Sequence, residues 1–298
     1  MYKHPPTPMA TRSAEWFDHE YNNRARVPDF AGLMGRWAQA SALVREQTAC
    51  VLDVPYGPAL LERLDIFTTD VARAPVLVFI HGGYWRSLDK ADHSFLASAF
   101  TDAGAMVVMP NYSLCPGVAM ERIPLQLVQA LAWTWRHAAD YGGDPNRIVL
   151  VGHSAGGHLA AMLNCCDWKA VAADLPRHLV KGAMSISGVH DLAPLRQTPY
   201  VQCDLALDAH SVRRLSPIHF PAPAAPTYAL VGGAESEEFR RQTRLLRQAW
   251  GRRAVPVCEE IAGSRHFDIL HDLADPQGRT HQLARKLLDL RWFSALSA

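Results

Sequence analysis

The chain has 298 residues, 49% of them hydrophobic, and its 30 basic residues nearly balance 29 acidic ones for a net charge of +1. That length and apolar content suit one large α/β domain over residues 1–298, and the charge balance supplies no field to hold a polyanion, which excludes nucleic acid and points to a small-molecule partner. The stretch MYKHPPTPMATRSAEWF lacks the apolar run of a secretory signal and no later stretch approaches a membrane span, so the expectation is a cytoplasmic protein without membrane contact; a homodimer is left open.

Residues 1 to about 28 are rich in prolines and polar side chains and end in EYNNRARVP (Glu20 to Pro28), which reads as an ordered arm. Asp29 can cap a helix running to about Glu46, because Leu33, Trp37 and Ala40 or Ser41 recur on one face. Arm and helix together occupy residues 1–60. Leu64 to Thr68 alternates as a short strand after the turn Tyr56-Gly57-Pro58.

Regular alternation begins at Pro75. PVLVFI ends at His81-Gly82-Gly83, a helix is expected over roughly Ser94 to Ala103, and Ala105 to Pro110 forms a second buried strand. Pro124 opens a helix through about Tyr141, with Leu127, Leu131 and Trp135 in register; IVLVG (Ile148 to Gly152) follows as a strand. Further strands are expected at Lys181 to Ser187, Thr227 to Val231 and Val255 to Ile261. Short apolar runs separated by helical stretches predict an α/β fold, a mostly parallel doubly wound sheet with flanking helices. Residues 190–226 are too long for a simple connection, and a segment of this kind is expected to form a pocket wall.

Six cysteines (Cys50, Cys115, Cys165, Cys166, Cys203, Cys258) form no C-x-x-C pair and read as free thiols. The fourteen histidines include no H-x-x-x-H or H-E-x-x-H helix, so no metal site is expected.

Chemistry concentrates at Ile148 to Ala161, IVLVGHSAGGHLAA, a strand, a sharp turn and a helix with Ser154 at the apex. The G-x-S-x-G spacing holds a serine out of the regular backbone, the first requirement for making its weak hydroxyl a nucleophile. Its base is expected at His266, in the loop AGSRHFD after the last strand, where ligand-facing groups of open α/β sheets gather. His271 is the spare candidate, placed already in the following helix. An acid must orient the imidazole. Glu235, after LVGGA, and Asp191, after SISGV, both lie between serine and histidine in the chain; Glu235 is favoured for its short Gly-Gly turn, and Asp191 stays open. Glu237 and Glu238 suit the first turn of the next helix. The amides of Gly83 and Tyr84, with that of Ala155, can converge on a developing oxyanion. His81 is expected to brace that loop, and His158 to pack behind the serine turn.

Together HGGYW, VGHSAGGHLAA, Glu235 in GGAESEEF, and His266 resemble the kynurenine formamidase (arylformamidase) branch of the α/β-hydrolase superfamily, whose hallmark is an H-G-G-x-W oxyanion loop. The arm EYNNRARVP also looks like bacterial members, so the resemblance covers nearly the whole chain. Glu235 departs from the aspartate common in this branch. The resemblance implies an α/β-hydrolase fold and cleavage of N-formyl-L-kynurenine to L-kynurenine and formate through a formyl-enzyme, with no cofactor. Tyr84, Trp85 and Tyr200 are candidates for the flat apolar wall an anilide needs. The alternatives are a carboxylesterase for short acyl or aryl esters and, from another class, a noncatalytic ligand-binding module.

Overall fold

Strands in this computed structural model, which describes residues 12–289, form one eight-stranded sheet in the order β1-β2-β4-β3-β5-β6-β7-β8. They are β1 (Cys50–Pro55), β2 (Arg63–Phe67), β3 (Ala74–Ile80), β4 (Met106–Pro110), β5 (Gly143–His153), β6 (Val180–Ile186), β7 (Thr227–Gly232) and β8 (Val257–Ile261). The pairs β1 with β2 and β2 with β4 are antiparallel, and every other neighbouring pair is parallel.

Helices cover both faces, so the central strands are apolar on both sides and their alternate residues feed two cores. Val76, Val78, Ile80, Ile148 and Leu150 pack with Leu127, Leu131 and Leu159. Leu77, Phe79, Val149 and Val151 pack on the other face with Trp37, Phe100 and Leu283. The helix Phe30–Gln47 buries Leu33, Trp37 and Ser41, and the Asp29 side chain accepts from the Gly32 amide at its start.

Several elements differ from the sequence reading. Strand β1 was not expected; its alternation of half-buried and exposed residues, broken by a register shift between Val51 and Val54, is that of an edge strand. The helix expected over 94–103 is a 3-10 turn, Lys90–Leu96, running into a short α-helix, Ala97–Thr101. Residues 190–226 are largely helical, with helices at Pro199–Leu205 and Ala209–Leu215. The arm, whose first eleven residues lie outside the described ones, contains a helix, Ala14–Tyr21, that belongs to the core: Phe17 and Tyr21 are fully buried. The Tyr21 hydroxyl donates to Glu238 Oε2 at 2.8 Å and accepts from Gln242 Nε2 at 3.0 Å, tying the arm to the helix Glu237–Ala254.

Candidate active site

β5 ends at His153 and the helix Ala155–Asn164 begins immediately after Ser154, which sits at φ 57°, ψ −119°. A non-glycine residue there stores strain of about 1–3 kcal/mol and persists only where its surroundings hold it. The holding bonds run from the Ser154 amide to Ile186 O (2.8 Å) and from the His158 amide to Ser154 O (3.1 Å). Strand and helix approach so closely that a Cβ on Gly152 would lie 2.0 Å from Gly156 O, and one on Gly156 would lie 1.9 Å from Ile80 O. Only glycine fits either place.

His266 lies between β8 and the helix Ile269–Ala274, and Glu235 lies in the turn after β7. His266 Nδ1 is 2.7 Å from Glu235 Oε2, and both residues are buried. The other carboxylate oxygen accepts from Ser187 Oγ at 2.5 Å and from the Gly232 amide at 2.7 Å. An ionised carboxylate only accepts, so a neutral imidazole bonded to it in this way carries its proton on Nδ1 and presents Nε2 as an acceptor. His153 Nε2 in turn lies 2.7 Å from His266 O. Burial, and then the neighbouring His266 imidazole, push the His153 pKa well below 6.5, so His153 is a neutral donor that fixes the loop.

The loop after β3 is held in unusual backbone geometry, with Gly83 at φ 108°, Tyr84 at 53° and Trp85 at 56°. Its anchor is the Gly83 carbonyl, which accepts from the amides of Arg86 and Ser87 (both 3.1 Å) and from Ser87 Oγ (2.9 Å). A Cβ on Gly83 would meet Ser87 O at 2.0 Å, and one on Gly82 would lie 3.1 Å from Ser154 Cβ, so the loop runs directly over the serine. His81 braces it from behind: Nε2 bonds Asn111 Oδ1 at 3.0 Å and the ring stacks on Tyr112 with centroids 4.3 Å apart. Burial lowers the His81 pKa, keeping it neutral.

Ser154, His266, Gly83 and Tyr84 line one cavity of about 20 Å³, with Glu235 behind His266 and Ala155 next to the serine. The structure does not bring Trp85 or Tyr200 to that cavity. Trp85 is fully buried with its ring edge-on to His158 at 4.9 Å, and Tyr200 lies under the Arg86 guanidinium at 4.5 Å. Tyr84 does reach the cavity, though its hydroxyl is committed to Tyr21 O at 2.5 Å. Asp191 Oδ1 accepts from the Ala193 amide at 3.0 Å, a local turn bond. His271 sits in its helix and accepts from Trp37 Nε1 at 3.0 Å; His158 is buried, 2.6 Å from Leu215 O through Nε2.

The cavity takes none of its lining from residues 190–226. Its remaining wall includes Asn23 and Arg24 of the arm, with Trp37, Leu88, His93, His153 and Phe267. Sequence reasoning noticed the Asn-Asn-Arg run only as an arm, and missed Ser187 as the hydroxyl that holds Glu235, since a serine at a strand end carries no local signal. Among the described residues no cluster of three or more histidine, cysteine or acidic side chains could hold a metal, and no helix is long and apolar enough to cross a membrane.

Comparison with known proteins agrees with this geometry. Residues 64–234, more than half of the chain, match the BD-FAE family. The kynurenine formamidase of Danio rerio is 31% identical over 82% of this chain and 84% of its own length. Esterase LipQ of Mycobacterium tuberculosis is 40% identical over 76% of this chain and 59% of its own. The crystal structure of a candidate thioesterase from Silicibacter sp. TM1040 superposes with a TM-score of 0.78 at 31% identity, covering 92% of this chain and 98% of that one. The chain is a serine hydrolase of the α/β-hydrolase fold, and it belongs to the BD-FAE family, in the kynurenine-formamidase-like branch of that superfamily.

Proposed function

We propose that the protein hydrolyses an aryl formamide, N-formyl-L-kynurenine, to L-kynurenine and formate. Ser154 Oγ attacks the formyl carbon while His266 Nε2 takes its proton, and the oxyanion forms against the amides of Gly83, Tyr84 and Ala155. Glu235 stabilises the imidazolium, which then protonates the aryl nitrogen as the C–N bond breaks, leaving a formyl ester on Ser154. Water, deprotonated by His266, attacks that ester and releases formate with the regenerated serine.

One observation carries this reading: Ser154 and the Glu235-backed His266 line the same cavity. The 31% identity to the Danio rerio kynurenine formamidase supports the choice of substrate. All six cysteines are free, which favours a cytoplasmic setting. Short-ester hydrolysis by the same residues is the second reading, favoured by the 40% identity to Esterase LipQ. Turnover of N-formyl-L-kynurenine beside p-nitrophenyl acetate separates the two. Formamide cleavage with the higher kcat/KM is expected; negligible formamide cleavage beside fast ester cleavage would leave the esterase.

A further inference from the structure

We infer that Asn23 and Arg24, carried over Ser154 by the N-terminal arm, form a subsite for a carboxylate on the substrate's leaving group. The inference rests on the formamidase reading for its substrate, and on the wall of the cavity for its chemistry.

Arg24 is the one lysine or arginine among the residues lining the cavity, and that lining includes no aspartate or glutamate. No carboxylate lies within ion-pair distance of Arg24 among the described residues; its guanidinium bonds Ser87 Oγ at 2.6 Å and lies over the Phe30 ring at 5.2 Å. Two of the histidines on the cavity wall are neutral, because burial drives His93 to a pKa of about 3 and His153 well below 6.5. An enclosed, mostly neutral space with one permanent cation attracts an anion, and a guanidinium fork matches a carboxylate.

Asn23 is the second, independent sign. It is 3% exposed, it lines the same cavity, and its Nδ2 has no hydrogen-bond partner. A buried donor left unpaired is unfavourable, and a ligand oxygen removes that cost. The arm thus brings one charged and one neutral donor residue to the cavity wall, the two kinds of donor a carboxylate accepts from. A space of about 20 Å³ holds roughly one water molecule, so an aryl formamide needs a wider cavity than this conformation offers.

The alternative role for Arg24 is mechanical, since it grips Ser87, whose hydroxyl donates to Gly83 O at 2.9 Å. Substrate pairs separate the two roles. The readout is the ratio of kcat/KM for N-formyl-L-kynurenine to that for its carboxamide, which lacks only the negative charge. Arg24→Met should lower this ratio at least about tenfold, mainly through KM, with Arg24→Lys restoring part of it. Asn23→Ala should lower it by a smaller factor, and Ser87→Ala should leave it within about twofold. An unchanged ratio in Arg24→Met, or an equal fall in Ser87→Ala, would overturn the subsite. If the native enzyme cleaves neither formamide, the formamidase reading fails on its own. The same ratio is then taken on phenyl acetate with and without a propanoate side chain, and the same outcomes decide the subsite.

Discussion

Glu235 and His266, 31 residues apart in the chain, meet at 2.7 Å because β7 and β8 lie side by side and both open their following turns at the same end of the sheet. Replacing Glu235 by glutamine keeps the shape but removes the charge that orients Nδ1–H. Loss of about 10³ to 10⁴ in kcat is expected, with KM changed by no more than a few fold, as measured by steady-state kinetics on the fastest substrate. A kcat within tenfold of the parent would show that Glu235 does not serve His266.

Ser187 supports that carboxylate from the side away from the histidine, donating to Oε1 at 2.5 Å. A hydrogen bond to a charged group contributes about 1.5–3 kcal/mol, so Ser187→Ala should reduce kcat by about tenfold or more while Glu235 keeps its bond from the Gly232 amide. Unchanged kcat in this variant would mean that the Gly232 amide alone positions the acid.

The serine turn depends on the close crossing at Gly156. Alanine there would place a Cβ 1.9 Å from Ile80 O, and since backbone must move to relieve it, Gly156→Ala is expected to lower stability by several kcal/mol. Urea denaturation followed by far-UV circular dichroism measures this. A midpoint equal to the parent's would show that strand and helix separate more readily than their packing implies.

Buried histidines make the fold sensitive to acid. Burial lowers the pKa of His93 and His190 to about 3 and that of His158 to about 4, from about 6.5 in an unfolded chain. Between about pH 6.5 and pH 4 the unfolded chain therefore binds protons that the folded one refuses, and stability falls as pH falls, more steeply than one titrating group would give. The urea midpoint should drop from about pH 7.5 to about pH 5 and hold roughly level above pH 7. A midpoint that stays level or rises toward pH 5 would contradict the neutral burial of these rings.

Local chemistry explains what the sequence made legible. The strands β3 to β7 announce themselves as short apolar runs because both of their faces are buried, and Gly152 and Gly156 mark the serine turn because no other side chain fits between strand and helix. Strand β1 was not visible, since an edge strand with half-exposed residues and an inserted irregularity loses the apolar signature. Trp85 looked like substrate wall from its place in HGGYW, yet the positive φ values of Tyr84 and Trp85 turn the chain so that the indole packs on His158 inside the core. Asn23 and Arg24 could not be assigned from spacing: they reach the cavity only because Phe17 and Tyr21, in the helix before them, bury against the rest of the domain.

The assembly of Ser154 with His266 and Glu235 is tested most directly by intact-mass and peptide mass spectrometry after treatment with a serine-directed phosphonate. A single adduct on Ser154 of the folded protein is expected, absent in Ser154→Ala and formed at least about a hundredfold more slowly in His266→Ala. No adduct on the folded native protein, or an adduct on another residue, would contradict a nucleophile at the apex of this turn.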